Sequence, residues 1–307
     1  MELPSFFSSE IAGKLHYPHA AQAIKAGLQA PTHPIEEDKA RVALMLVDAQ
    51  VDFVHTDGAL SVPGAVDDAQ RTAGWIFRNT ARITHIFASL DTHLPLQIFF
   101  PTWWVDAEGH HPDPYTPISV EQVETEVWRP LYELDWSLEY VSALKEQARK
   151  DLMIWPFHVL LGTPGHAITP ILYEAIAFHS AARSVQPTLE IKGTIAKTEY
   201  YSLLEPEVKV PGDPRGTLNE ALMDRLLSFD AIYFAGQAKS HCVLETIASI
   251  VKRHGEDRTV MERLYLLEDC TSSVQHPEID FEAIANETYR EYADKGMRIV
   301  NSDDDLA

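Results

Sequence analysis

The sequence predicts an α/β protein built on a parallel, Rossmann-like sheet flanked by helices on both faces. Three observations predict it. Short apolar runs rich in β-branched and aromatic residues read as buried parallel strands. Amphipathic helical patterns alternate with them, as in a βαβ series. Chemically versatile polar residues stand just past the ends of the runs, where sheets of this class place their sites.

Taken in order, residues 1–40 read as an N-terminal extension packed on the domain or on a partner subunit. The first strand is Val42–Val47 (VALMLV), apolar throughout because both faces of a central strand are covered. A helix follows within Ala65–Arg82, then a second strand at His85–Leu90 (HIFASL). The stretch 94–187 is too long for one ordinary connection. Rich in proline and carrying Trp103, Trp104, Trp128, Trp136 and Trp155, it reads as an ordered insertion that walls the site, with helices near Leu138–Lys150 and Ala167–Ser184. A third strand at Leu189–Ile191 and a helix at Leu218–Leu227 come next. The strands Ala231–Ala235 and Arg263–Leu267 bracket a helix at His241–His254, and a helix at Asp280–Lys295 precedes the last strand, Met297–Val300. We read 1–307 as a single domain.

Composition narrows the function classes. Lys and Arg total 25 against 46 Asp and Glu, a formal net charge of −21 that repels phosphate backbones and anionic lipid. No nucleic acid or membrane partner is expected, and no apolar run approaches the roughly 20 residues needed to span a bilayer. The first residues lack a basic segment followed by a long apolar one, so a cytoplasmic location is expected. Cys242 and Cys270 are the only cysteines, too few for a disulfide framework or a multi-cysteine zinc site. No G-x-G-x-x-G follows the first strand and no G-x-S-x-G occurs, which disfavours a dinucleotide enzyme and a serine hydrolase.

The strand ends carry the candidate chemistry: Asp48 after the first, Asp91 and His93 after the second, Lys192 after the third, and Cys242 after the fourth. Taken singly, each has an ordinary explanation: a cap for Asp48, a surface position for Lys192, a small core residue for Cys242. Taken together, an aspartate, a lysine and a cysteine on separate strand ends converge in one crevice. Cys242 opens a predicted helix, where backbone N–H groups and the positive helix end favour thiolate and a developing oxyanion. Cys270 reads as packing.

The segments VDAQVDF (47–53), DTH (91–93), WPFH (155–158), IKG (191–193) and GQAKSHCV (236–243) resemble the isochorismatase-like cysteine hydrolases, the superfamily that includes nicotinamidase. The similarity runs in order over residues 41–301. It implies Cys242 as nucleophile, Asp48 as catalytic acid and base, and Lys192 as catalytic lysine, with Lys197 its main competitor. It further implies a cis peptide at Gln237–Ala238, with the Ala238 and Cys242 N–H groups as oxyanion hole. Asp91, His93 and His158 match ligands of a divalent zinc, iron or manganese ion; no organic cofactor is implied. The further family histidine falls near Phe99 or Phe100, which cannot ligate, leaving His110, His111 or Glu108 as replacements. The implied activity is hydrolysis of a small carboxamide through a thioester, releasing ammonia, by a homo-oligomer. A ureide or carbamoyl substrate, or a binding protein without turnover, are the alternatives.

Overall fold

The computed structural model describes residues 3–147 and 150–306. Its ten strands are β1 (Val42–Val47), β2 (His85–Asp91), β3 (Trp104–Val105), β4 (Pro117–Ile118), β5 (Arg129–Pro130), β6 (Leu152–Met153), β7 (Thr188–Lys192), β8 (Ala231–Gly236), β9 (Leu264–Leu267) and β10 (Arg298–Val300). Six of them form one sheet in the order β10-β9-β8-β1-β2-β7, every pair parallel. The predicted α/β class and all six predicted strands are therefore present. β1 is central, and its six residues are all buried.

Alternation along the strands divides the core in two. Val42, Leu44 and Leu46 face one side with Ile86, Ala88 and Tyr233, under the helices Ala65–Asn79 and Pro170–Arg183. Ala43, Met45 and Val47 face the other with Phe87, Ile232 and Phe234, under the helices Glu220–Leu227, Leu244–His254 and Phe281–Asp294. A one-residue slip of β1 would exchange these sets, so packing on both faces pins its register.

The stretch between β2 and β7 holds two short antiparallel pairs, β3 with β5 and β4 with β6. Its helix Leu134–Gln147 starts earlier than expected, and residues 148 and 149 of the predicted span lie outside the described residues. Pro170–Arg183 packs on the strand layer as the connection's own crossover helix, so the inserted material precedes it. Pro170 opens that helix, where its missing N–H costs nothing.

The N-terminal segment lies on this chain. Helix Ala20–Gly27 packs on Pro170–Arg183 so closely that a Cβ on Gly27 would meet the Phe178 carbonyl oxygen at 2.4 Å. The fully buried Arg183 side chain pairs with Asp38 and donates to the His33 carbonyl, 2.6 Å away. Arg183 and His179, to which the sequence assigned no role, thus hold structure: His179 Nε2 lies 2.9 Å from the Ile83 carbonyl oxygen. Among the described residues, no helix is long and apolar enough to cross a membrane.

Two tests address this packing. Gly236 ends β8 with φ +110°, and a Cβ there would stand 2.0 Å from the Val47 carbonyl oxygen. Gly236→Ala should lower the free energy of unfolding by roughly 2–4 kcal/mol, read as a fall in the urea midpoint at unchanged slope. Burial pulls His179 down to about 4. The native state then binds fewer protons than the unfolded chain, where histidine titrates near 6.5. Its contribution is whole above pH 6.5 and is lost as pH falls toward 4, so urea midpoints should decline across that window, less steeply in His179→Gln.

Candidate active site

Each candidate side chain is set by a strand end. The register places Asp91 opposite Lys192 at the carboxyl ends of β2 and β7, and Val47 opposite Gly236 at those of β1 and β8. Asp48, one residue past β1, adopts φ +42°, a left-handed conformation unusual outside glycine. It is held there by Ser89, whose hydroxyl accepts from the Asp48 N–H (2.9 Å) and donates to Oδ1 (2.6 Å). Gln50 ties the two loops together: its amide donates to the Asp91 carbonyl, and its oxygen accepts from the Asp91 N–H, both at 2.8 Å.

Lys192 is the hub. Its Nζ lies 2.9 Å from Asp48 Oδ2 and 2.9 Å from Asp91 Oδ1, donates to the Tyr200 carbonyl at 2.6 Å, and stands 3.7 Å from Cys242 Sγ. All five residues are buried. Burial alone would strip the proton from Lys192, but the Asp48 and Asp91 carboxylates hold it well above the usual lysine range. Burial raises Asp48 in spite of Lys192, with Asp91 adding to the rise. Asp91 itself, although buried, is held well below the usual carboxylate range by His93 and Lys192.

Cys242 lies in a single π-helical turn, Lys239–Val243, that leads into Leu244–His254. Burial pushes the thiol well above the usual cysteine range, Lys192 opposes that rise, and the Asp48 and Asp91 carboxylates add to it. The Gln237–Ala238 peptide bond is cis, and the Ala238 N–H has no acceptor among the described residues.

Asp91, His93 and His158 form a second cluster, their nearest oxygen and nitrogen atoms all within 4.8 Å of one another. His158 Nδ1 lies 2.7 Å from the Pro156 carbonyl and His93 Nδ1 3.3 Å from that of Gly193, which leaves both Nε2 atoms turned inward. His93 Nε2 is buried, 3.0 Å from Asp91 Oδ2 yet outside hydrogen-bonding geometry. Carbonyl-anchored imidazoles and a carboxylate around an unsatisfied nitrogen suit a borderline divalent cation. Asp52 positions this wall by accepting from the Val159 N–H at 2.6 Å.

No family model matches the chain, and no curated protein matches it. Solved structures do. The yeast nicotinamidase Pnc1p aligns with a TM-score of 0.56 at 18% identity, over 85% of this chain and 99% of that one. A nicotinamidase/pyrazinamidase of Acinetobacter baumanii aligns at 0.55 and 16% identity, over 87% and 98%. The L. infantum PnC1 in complex with nicotinate aligns at 0.50 and 17%, over 86% and 93%.

The chain has the isochorismatase-like fold.

Within this fold the structure brings Asp48, Lys192 and Cys242 together and leaves Lys197 out: its ammonium pairs with Glu133 at 2.9 Å. Phe99 and Phe100 pack on the His93 ring at centroid distances of 4.8 and 5.6 Å, so they wall the cluster where a ligand was sought. The suggested replacements are elsewhere. Glu108 and His110 are exposed, His110 pairing with Asp106, and His111 bonds the Trp104 carbonyl. Cys270 is core, pushed up to about 12 by burial. Two residues escaped the sequence reading. Ser89 was detectable as a lone hydroxyl inside an apolar strand; Glu199, buried in an irregular loop beside the cluster, left no periodic signal.

Lys192→Met would leave two buried carboxylates facing each other without a cation. The variant should unfold about 3–5 kcal/mol more easily at neutral pH. Without the ammonium, the carboxyl groups titrate higher folded than unfolded, so this deficit should shrink as pH falls toward 4; a constant deficit would refute the electrostatic account.

Proposed function

We propose that this chain is a cysteine amidase that hydrolyses a small carboxamide in the manner of the nicotinamidases. The observation that carries the reading is the Lys192 ammonium set between Asp48, Asp91 and the Cys242 sulfur. That contact supplies the charge partner and the proton acceptor that a thiol nucleophile requires.

Asp48 accepts the thiol proton as Sγ bonds to the amide carbon, and Lys192 offsets the negative charge passing through the pair. The carbonyl oxygen becomes an oxyanion facing the backbone N–H groups of Ala238 and Cys242. Collapse of this adduct breaks the C–N bond while Asp48 returns its proton to the departing nitrogen, which leaves as ammonia. Asp48 then takes a proton from water, whose oxygen attacks the thioester. The acid departs, and Cys242 recovers its proton. The buried, raised Asp48 carboxyl is suited to holding a proton between these steps.

Asp91, His93 and His158 would hold a divalent zinc, iron or manganese ion beside this pocket. A metal there supplies a Lewis acid that polarises a substrate or water oxygen.

Ammonia release from a panel of small amides, nicotinamide among them, tests the reading. Wild type should release ammonia and Cys242→Ala should lose at least about 10³-fold in rate, the scale of removing an essential nucleophile. Full turnover by Cys242→Ala would overturn it. Elemental analysis should find one divalent metal in the wild type and none in His93→Ala.

A further inference from the structure

The room at the thiol is small. The cavity that Cys242 lines, with Ala238, Asp91 and His158, measures about 30 Å³, enough for about one or two waters. Beside it lies a chamber of about 500 Å³, within the range of small-ligand sites. Trp155, Glu199, Tyr201 and His241 line both cavities. They make a shared aromatic wall: the Trp155 Nε1–H donates to Tyr201 Oη at 3.0 Å, and the His241 ring lies 5.7 Å from Trp155 and 5.3 Å from Tyr201. The small cavity cannot hold the rest of an amide that presents its carbonyl to Cys242, and the chamber is the adjoining space.

The chamber is apolar over much of its surface, with Phe99, Leu144, Met153, Leu244 and Phe281 among its lining. Its charge is one-sided. Among its lining residues Glu199, Glu207 and Glu245 share one ammonium, that of Lys150, although Lys192 also acts on Glu199 and Lys252 on Glu245; Asp151 pairs with Lys145. Lys150 is already engaged: it pairs with Glu207 and sits over the Tyr201 ring, 4.5 Å from its centroid. His241 adds no charge, since burial and Lys150 push it down to about 3. Among the described residues the Glu245 side chain has no hydrogen bond or ion pair. Burial, reinforced by Glu207 and Glu205, pushes its carboxyl up to about 7 in spite of Lys150 and Lys252. Glu245 stands three residues beyond Cys242, roughly one turn along the same helical run.

We propose that this chamber binds the tail of the amide substrate and that Glu245 selects tails ending in a primary ammonium. The inference rests on the amidase reading and narrows it, from small carboxamides in general to amides carrying a cation a few bonds from the carbonyl. Aromatic faces at Trp155 and Phe281 suit the same cation.

Three aliphatic primary amides of equal length, ending in ammonium, methyl or carboxylate, test it in pairwise competition. The ratio of kcat/KM values is internal to each sample and independent of how much of a variant folds. Wild type should prefer the ammonium amide over the methyl amide by ~10- to 100-fold, as expected for one charged hydrogen bond. In Glu245→Gln the ratio should fall to near one. Equal rates in wild type, preference for the carboxylate, or a preference that survives Glu245→Gln would each overturn the proposal. If no amide is hydrolysed, the amidase reading fails and calorimetric titration decides the chamber alone. Binding of the ammonium amide to Cys242→Ala that is lost in Cys242→Ala/Glu245→Gln supports it; equal or absent binding of all three compounds overturns it.

Discussion

The site depends on one buried cation. Lys192 lies among two carboxylates, a carbonyl oxygen and a thiol with almost no water to share its charge. Removing an ammonium from water costs several kcal/mol, and only close opposite charges offset this. The two aspartates do so, and the lysine in turn lets both remain in the interior. Lys192 is tolerable because both carboxylates are there, and each carboxylate because Lys192 offsets its burial and their mutual repulsion. The same contact links the two halves of the site, since Asp91 faces Lys192 with Oδ1 and His93 with Oδ2.

This arrangement needs four strand ends to meet within a few ångströms, and the parallel sheet provides that. With β1 at the centre between β8 and β2, and β7 beyond β2, all four carboxyl ends open on one edge. Small adjustments then aim the side chains. Asp48 turns through a left-handed backbone secured by Ser89, and Gln50 clamps the loops after β1 and β2. The material inserted between β2 and the crossover helix supplies Trp155, His158 and Tyr140 to the walls. The core makes the chemistry possible, and the insertion shapes what can reach it.

Much of this was legible from residue order. The six sheet strands were readable because buried parallel strands are continuous apolar runs, and Asp48, Lys192 and Cys242 because a charged or nucleophilic residue just past such a run is unusual. The short strands of the insertion were not legible, since two-residue pairs such as β3 with β5 have no periodicity to detect. Nor were the opposing influences on Cys242: the helix start favours a thiolate, while burial and the nearby carboxylates raise the thiol against Lys192.

The sequence by itself determined the α/β class and the strand whose end bears each of Asp48, Asp91, Lys192 and Cys242, with His93 two residues past Asp91. These are local facts, written in apolar runs and in the polar residues at their carboxyl ends. Tertiary structure alone decided that Lys192 rather than Lys197 reaches the thiol, that Phe99 and Phe100 close the cluster, and that Glu199, Glu207 and Glu245 meet Lys150 in a chamber. Those groups come from distant segments, and their proximity is set by how the insertion and the helices close over the sheet, which no spacing along the chain encodes.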